Sequence, residues 1–348
     1  MSITYHERPG VYADYDASAV FSTSPATKTV AVAGLNSSTA GTCKFSSAAS
    51  AAAVFGADAP LTALIRQAFL SGASTVLARA VPVDSVMGYH DSLEALLAQR
   101  EATYFVIDSC DAAVQADMRE LIEAASEAKN ECIGLVGMDC ASDEELIERS
   151  AVLNSPRMVL VAPQVYVGEE ICSGNLAAAA LAGLLAAQSD PAVPLNGAVL
   201  PGLSGVTNLW SETRLDALLR GGVTPLECIG GEVRVIRAVT TCTTINGVAD
   251  ATFRELNTIL VIDEVLPALR TVLQQRFSRL KNTAVTRSAI RNQVVIELER
   301  RVAAQIIDSY DALTVTQNAD DPTVCDICFR FSVAHCLNRI LLTAHISV

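Results

Sequence analysis

Apolar residues in the middle of this chain occur as short continuous runs that alternate with stretches of helical spacing. The runs lie at residues 104–107, 133–137 and 158–162, and the helical stretches lie at 112–128, 143–153 and 173–187. Alternation of short apolar strands with helices predicts a parallel sheet that is covered by helices on both faces. We therefore expect a three-layer α/β domain over residues 89–205.

The flanking sequence continues the α/β pattern. Strands are predicted at 29–35, 75–81 and 233–243, and a helix is predicted at 61–71. We expect residues 21–88 and 206–245 to form an outer domain into which the three-layer domain is inserted.

The C-terminal part opens with a long helical pattern. Its apolar stripe comprises Ile262, Leu266, Leu269, Leu273, Phe277 and Leu280. Pro267 indicates that the helix begins just before this residue or kinks there. A second helix is predicted at 288–307, and strands are predicted at 324–333 and 340–348. Residues 246–348 thus predict a helix pair with a β-sheet, so the whole chain is of α/β and α+β multidomain class.

Both chain ends are predicted to need partners. Apolar and other residues alternate up to the last residue, which predicts a half-buried terminal strand. Such an end frays unless it pairs with a sheet, which can belong to the same chain or to a neighbour. Residues 1–20 predict an arm, because Pro9-Gly10 favours a turn and the polar residues after it break any apolar period.

Composition limits the functional classes. Hydrophobic residues make up 51% of the 348 residues, yet no apolar run approaches the roughly 20 residues that span a bilayer. We expect no membrane insertion, a cytoplasmic start because no secretory signal is present, and burial of the excess apolar surface between subunits. The cysteines lie mostly in apolar runs, so few or no disulfides are expected.

Charge is unevenly distributed along the chain. The net charge of −13 argues against nucleic-acid binding. Residues 251–302, however, carry nine basic and five acidic side chains. This segment is either an ordinary solvated pair of helix flanks or a positive strip that faces an acidic partner, and the sequence leaves both interpretations open.

Motifs for catalysis or cofactor binding are not found in the sequence. Phosphate-binding glycine loops are absent, and the four histidines are isolated from one another. Cys325 and Cys328 superficially resemble zinc ligands, with His335 and Cys336 downstream. On a strand, however, Cys325 and Cys328 point to opposite faces. We therefore expect no enzyme, no metal and no cofactor.

The carboxylates and arginines near residue 300 are explained by ion pairing on a helix. Glu297 and Glu299 lie two residues apart and do not share a helix face, whereas Arg301 follows Glu297 at i+4. Surface ion pairing is the default account of that spacing.

Several stretches resemble the contractile tail-sheath family of phages and phage-derived bacteriocins. They are Pro9-Gly10-Val11-Tyr12, Phe55-Gly56 with the helix 61–69 and Ser71-Gly72-Ala73-Ser74 after it, Val239-Thr240-Thr241, Arg279-Leu280-Lys281-Asn282 and Asn338-Arg339-Ile340. The order and spacing of these motifs carry the resemblance. The middle, 89–205, matches only in being α/β.

The resemblance implies a structural subunit. Sheath subunits stack as hexameric rings around an inner tube, and the sheath contracts to drive that tube through a target cell envelope. The implied partners are further copies of the chain, the inner tail tube protein, and the baseplate and tail terminator proteins. The implied location is a virion tail or phage-tail-like particle that is assembled in the bacterial host cytoplasm.

The resemblance also assigns roles to residues. It implies strand exchange between subunits through the two chain ends, at Val11, Tyr12, Val20, Ile340, Leu342, Ala344, Ile346 and Val348. It implies that the first C-terminal helix touches the tube, and position on that helix selects Arg270, Arg276, Arg279 and Lys281.

Two alternatives stay open. One is an α/β enzyme with an unrecognised site in 89–205, where a sheet of this type binds ligands at a switch point in strand order. The other is the sheath of a non-phage injection or secretion system. The sequence does not distinguish a phage tail from a bacteriocin.

Overall fold

A computed structural model describes residues 28–38, 41–139, 141–334, 336–338 and 341–345. The strands are β1 (Thr29–Leu35), β2 (Cys43–Phe45), β3 (Val76–Val81), β4 (Ala102–Ile107), β5 (Ile133–Gly137), β6 (Met158–Ala162), β7 (Val165–Val167), β8 (Glu170–Cys172), β9 (Gly205–Val206), β10 (Val223–Ile229), β11 (Glu232–Val235), β12 (Thr244–Ile245), β13 (Val248–Ala249), β14 (Ile307–Gln317) and β15 (Cys325–Val333). The helices are α1 (Ala48–Phe55), α2 (Pro60–Leu70), α3 (Val86–Leu97), α4 (Ala112–Glu127), α5 (Asp143–Leu153), α6 (Gly174–Ala187), α7 (Glu212–Arg220), α8 (Leu256–Phe277) and α9 (Ala284–Ala303).

An eight-stranded sheet forms the centre of the first part of the chain, which we call the α/β body. Its strand order is β11-β10-β6-β5-β4-β1-β3-β2. The six inner strands are parallel, and β2 and β11 join antiparallel at the two edges. Strands β5 and β6 are buried along their whole length because helices cover both faces.

Alternate residues of the central strand show the two layers of core. Val30 and Val32 of β1 pack with α1, α2 and α6, together with the first turns of α8. Ala31 and Ala33 face the opposite layer, which α3, α4, α5 and α7 build. The predicted α/β class, with helices on both faces of the sheet, is confirmed.

Helix α6 lies unusually close to α2. Its Ala-rich sequence is buried on almost every side, and a Cβ atom placed on Gly183 would lie 2.3 Å from the carbonyl oxygen of Ala68. That approach excludes a side chain at residue 183. The alanine tract therefore serves helix packing within the chain.

The sheet crosses the predicted domain boundaries. Strands β1 to β3 come from residues 21–88, β4 to β6 from 89–205, and β10 and β11 from 206–245. The predicted strand over 233–243 is wrong beyond Val235. The hydroxyl of Thr224 binds both the backbone N–H and the carbonyl of Val239, so the chain there satisfies its polar groups without a neighbouring strand.

Helices α8 and α9 and the hairpin of β14 and β15 form a second unit, which we call the C-terminal module. The predicted helix pair is confirmed, with Pro267 inside α8 rather than at its start. The second predicted helix extends too far, since α9 ends at Ala303 and β14 begins at Ile307. A small separate core of Val261, Val265, Leu269, Val294, Leu298 and Ile307 joins the helices to the hairpin.

Candidate assembly surface

The hairpin of β14 and β15 is a sheet of only two strands. Within the described residues, each strand pairs with the other and with no third strand. Two-stranded sheets are marginal in water, and an open strand edge presents unpaired N–H and C=O groups that another strand can pair with. The hairpin therefore offers two edges for strand addition.

The inner face of the hairpin packs on the helices. On β15 four alternate residues point inward and are half-buried: Ile327, Phe329, Phe331 and Val333. Phe329 and Phe331 have ring centroids 6.1 Å apart. This apolar face continues to the strand edges, so an added strand with apolar alternate residues would extend the same core.

The first strand of the hairpin carries two bulges. Asp308 is an extra residue between the pairs Ile307–Val333 and Ser309–Ser332, and a second extra residue lies between Asp311 and Thr314. Ala312 at the second bulge has φ of 53°, in the left-handed region. The bulges bring Tyr310 and Ile307 back to the inner face. The inward residues Ile307 and Tyr310 lie three positions apart, which is a helical spacing and not the period of two that a strand shows. For this reason the sequence did not predict β14.

The chain end after β15 is exposed over residues 341–345, whereas Cys336 is half-buried and Asn338 accepts a hydrogen bond from the side-chain amide of Asn196 at 2.8 Å. Residues 341–345 belong to no strand, and the side chains of Leu341 and Leu342 are 94% and 90% exposed. Ala344 is also exposed. Of the predicted exchange residues, Val11, Tyr12, Val20, Ile340, Ile346 and Val348 lie outside the described residues.

The four predicted tube-contact residues differ in their environments. Arg276, Arg279 and Lys281 are exposed near the end of α8, and Arg276 donates a hydrogen bond to Gln293 Oε1 at 2.7 Å. Arg270 is half-buried and donates from its two terminal guanidinium nitrogens to the carboxylate of Glu131, at 2.7 and 3.4 Å. Arg279 and Lys281 are thus exposed near the end of α8, while Arg276 also binds α9 through Gln293 and Arg270 ties α8 to the α/β body.

A second ion pair reinforces this tie. Arg157, just before β6, binds the carboxylate of Asp263 on α8 with two nitrogens, one of them at 2.8 Å. Burial raises the pKa of Asp263 despite the opposing pull of Arg157. Burial alone would also raise the pKa of Glu131, but the hydrogen bond from Arg270, a backbone hydrogen bond and the charges of Arg270 and Arg157 together outweigh it, and the pKa lies below its usual value.

The predicted surface pairing of Glu297 and Arg301 is wrong about location. The pair forms, at 3.1 Å, but the residues are only 5% and 7% exposed. Gln293 donates to the same carboxylate, and Arg301 lies 3.9 Å from Glu264 of α8. These residues face α8 and the hairpin, on the same side of α9 as its apolar core, so the pair is a buried polar link between helices.

The carboxyl edge of the large sheet bears on the enzyme alternative. Neighbouring strands β1 and β4 diverge to opposite faces there, which is where sheets of this kind bind ligands. Asp108 fills the position: its carboxylate accepts hydrogen bonds from the hydroxyl of Tyr89 at 2.5 Å and the backbone N–H of Leu35 at 2.7 Å. Burial raises the pKa of Asp108.

The next position along this edge is filled in the same way. Asp139 accepts hydrogen bonds from the hydroxyl of Ser173 at 3.0 Å and the N–H of Gly174 at 2.8 Å, so it caps α6 where an anionic ligand would bind. A groove of about 430 Å³ lies nearby, lined by Met138, Ala141, Ser142, Leu146, Ala162, Pro163, Gln164, Tyr166, Ile171, Thr207 and Asn208. Among the lining residues that the structure describes there is no Asp, Glu, His, Lys, Arg or Cys.

Possible metal ligands lie apart from one another in the part of the chain that the structure describes. Among the described residues no three His, Cys, Asp or Glu side chains are grouped to hold a metal ion. Cys325 is half-buried while Cys328 is exposed, which agrees with the opposite faces that strand alternation predicts, and His335 lies outside the described residues. In that same part of the chain no helix is long and apolar enough to cross a membrane.

Comparison with known families gives two matches that together cover most of the chain. Residues 84–241 match the phage tail sheath protein central domain, and residues 248–347 match the phage tail sheath C-terminal domain. A tail sheath protein of Bacillus phage SP01 is 29% identical over 210 residues. This match covers 58% of the chain and only 35% of that relative's length.

Solved structures share the fold at low identity. The contracted helical sheath of the anti-feeding prophage matches 99% of this chain and 100% of its own, with a TM-score of 0.74 and 16% identity. The sheath tail protein of Desulfitobacterium hafniense matches 93% and 100%, with a TM-score of 0.70 and 12% identity. The contracted PVC sheath of an extracellular contractile injection system matches 99% of each chain, with a TM-score of 0.70 and 13% identity.

Proposed function

The chain belongs to the phage tail sheath protein family, a structural and non-enzymatic family, and from this premise we propose that it polymerises into a contractile sheath. Its copies stack as hexameric rings around an inner tube, and contraction drives the tube through a target cell envelope. The particle is a phage tail or a related injection particle.

The two-stranded hairpin is the observation that carries this proposal. It has two open edges and an apolar inner face that continues to them, while residues 341–345 of the chain end are exposed and pair with no described strand. A strand from a neighbouring copy on each edge would satisfy the open backbone groups and enlarge the core, the mode of binding called strand addition. The donors are the arm, through Val11, Tyr12 and Val20, and the chain end, through Ile340, Leu342, Ala344, Ile346 and Val348.

The partners follow from the same arrangement. Residues 246–348 form the inner assembly and tube-contact domain, and the α/β body lies outward. Exposed Arg276, Arg279 and Lys281 face acidic groups of the inner tail tube protein, with Arg270 at the edge of that contact. Exposed ion pairs contribute about 0–1 kcal/mol each, so such a contact can hold the tube and still release it. Baseplate and tail terminator proteins cap the two ends of the sheath.

Contraction needs no nucleotide in this account. An extended lattice that is kinetically trapped gains interface area and better packing when its subunits rotate and move outward. Strands exchanged between copies keep neighbours connected during that movement. At the carboxyl edge of the large sheet, groups of the same chain engage the carboxylates of Asp108 and Asp139. This agrees with a structural role for the α/β body.

Negative-stain electron microscopy of the purified chain tests polymerisation. We expect long hollow cylinders. Uniform small particles whose melting temperature rises with a small ligand would contradict the proposal and favour the enzyme alternative.

A further inference from the structure

The groove of about 430 Å³ beside the small sheet β8-β7-β9 has no part in sheath assembly as proposed above. We propose that this groove binds a neutral saccharide, which gives the α/β body a recognition role in addition to its structural one. The inference goes beyond polymerisation. It needs no contact between copies, because the groove is formed by one chain.

The groove lies where neighbouring strands of the large sheet connect to opposite faces. The chain leaves β5 towards α5, which packs on one face, and leaves β6 towards α6, which packs on the other. Loops that diverge in this way leave a crevice at the carboxyl ends of the two strands, and such crevices bind ligands in open α/β sheets. Met138 and Ala141 follow β5, and Gln164 and Tyr166 follow β6, so both loops line the groove.

The described lining combines apolar side chains with neutral hydrogen-bonding groups. The apolar side chains include Met138, Leu146 and Ile171, and the hydroxyl and amide groups are those of Ser142, Gln164, Thr207 and Asn208. Hydroxyl and amide groups donate and accept hydrogen bonds without a net charge. A sugar ring presents hydroxyl groups at its edge and C–H groups on its faces, so it can use both kinds of contact. The volume of the groove also falls within the range of small-molecule sites.

Two polar groups of the lining are available to a ligand. In the part of the chain that the structure describes, neither the side-chain amide of Asn208 nor the hydroxyl of Tyr166 has a hydrogen-bond partner. Tyr166 is the cross-strand partner of Gly205, and a Cβ atom placed on Gly205 would lie 3.4 Å from the tyrosine ring. The glycine therefore leaves room for an aromatic ring at the groove, with an apolar face and a polar tip.

Acidic side chains near the groove disfavour an anionic ligand. Glu144 and Glu145 lie in the first turn of α5, and Glu169 and Glu170 lie where β7 turns into β8. All four are exposed, whereas the described lining contains no charged residue. Their negative field repels anions, so acidic sugars and phosphates should bind more weakly than neutral sugars.

Titration of the unassembled chain with oligosaccharides tests the proposal. The neutral probes are maltotriose, cellotriose and N,N′,N″-triacetylchitotriose, and trigalacturonic acid is the anionic comparison. Trp210 is the single tryptophan, and its indole N–H donates to the carboxylate of Asp143 at 2.8 Å, next to Ser142 of the lining, so its fluorescence reports on the groove. Isothermal titration calorimetry detects binding that leaves the fluorescence unchanged. We expect saturable binding of at least one neutral probe and weaker binding of the anionic one.

Three variants locate the binding. Asn208→Ala removes a neutral hydrogen-bonding group and should weaken binding about 3- to 10-fold. Ala141→Phe fills the groove and should abolish binding. Asn292→Ala removes an exposed amide from α9 and is the matched control, which should bind as the unchanged chain does.

Three results would overturn the saccharide site. They are the absence of binding by all three neutral probes, tighter binding of the anionic probe, and binding that neither groove variant weakens. Each of these results leaves the proposed sheath function untouched, because tube formation is measured separately by negative-stain microscopy.

Discussion

Charged side chains are half-buried where α8 meets the sheet and buried where it meets α9. Arg157 and Asp263 join α8 to the sheet, and Glu297 and Arg301 lie between α8 and α9. Sequence spacing predicted the second pair but not its burial. Burial of a helix face depends on what packs against it, and here the covering hairpin includes β14, which the sequence pattern did not reveal.

Removal of one member of the buried pair should be costly. Glu297→Ala leaves the guanidinium of Arg301 buried without its carboxylate, so we expect the free energy of unfolding to fall by about 3–5 kcal/mol. Urea unfolding of the unassembled chain measures this change. Glu299→Ala is the comparison variant: it removes an exposed carboxylate and its 2.6 Å hydrogen bond from Tyr310, with an expected loss of about 1 kcal/mol. Equal losses in both variants would contradict the buried link.

The pair of Glu131 and Arg270 should make stability depend on pH. The pKa of Glu131 is below its ordinary value of 4.5, so its contribution is present above that value and is lost as the pH falls through the folded-state pKa. Glu131→Gln should therefore destabilise the chain at pH 7, and the difference from the unchanged chain should shrink on acidification below pH 4.5. Thermal unfolding across this range measures it; a difference that grows towards acid would refute the assignment.

Single elements were predictable to different degrees. The strand β1, the inner strands β5 and β6 and the helix α5 agree with the sequence pattern because each buries a continuous or periodic apolar face. The short edge strand β2 and the bulged strand β14 were missed. Edge strands carry little apolar pattern, and bulges break the period of two on which the prediction depends.

Loss of the arm should separate folding from assembly. The α/β body and the C-terminal module have their own cores within the described residues. We therefore expect deletion of residues 1–15 to leave a folded monomer that no longer forms tubes. Circular dichroism and analytical ultracentrifugation would establish the first property, and negative-stain microscopy the second. Normal tubes from the shortened chain would rule out the role of the arm.

At the scale of the whole molecule, the sequence led to the family and the fold class but not to the arrangement of the body. Strands that lie far apart in the chain, such as β1 and β10, share one sheet, and long-range strand order is not encoded in local periodicity. The candidate assembly surface was predicted through its donors at the chain ends. Its acceptor, the hairpin edges, emerged only with the structure because β14 was not predicted.

Reversal of the basic charges in the last turn of α8 and just after it tests the contact with the tube. Arg276→Glu, Arg279→Glu and Lys281→Glu together should impair assembly on the tube protein and leave self-assembly of contracted sheath intact, because their exposed side chains meet the tube and not the hairpin edges. Co-sedimentation with tube protein measures the first effect and electron microscopy the second. Arg270 is excluded from this set, since its reversal would also break the pair with Glu131. Because Arg276 also binds Gln293, the double variant Arg279→Glu and Lys281→Glu controls for the loss of that hydrogen bond. If the variant chain binds the tube protein as well as the unchanged chain does, the three residues belong to an ordinary solvated helix flank and not to a contact with the tube.

The central claim is that the hairpin is completed by strands from other copies of the chain. Cryo-electron microscopy of the assembled tube, at a resolution that traces the backbone, tests it most directly. We expect a sheet of four strands, in which β14 and β15 lie in the middle and two neighbouring copies each contribute one outer strand. A hairpin that keeps two strands in the tube, or whose edges are covered by its own chain ends, would contradict it.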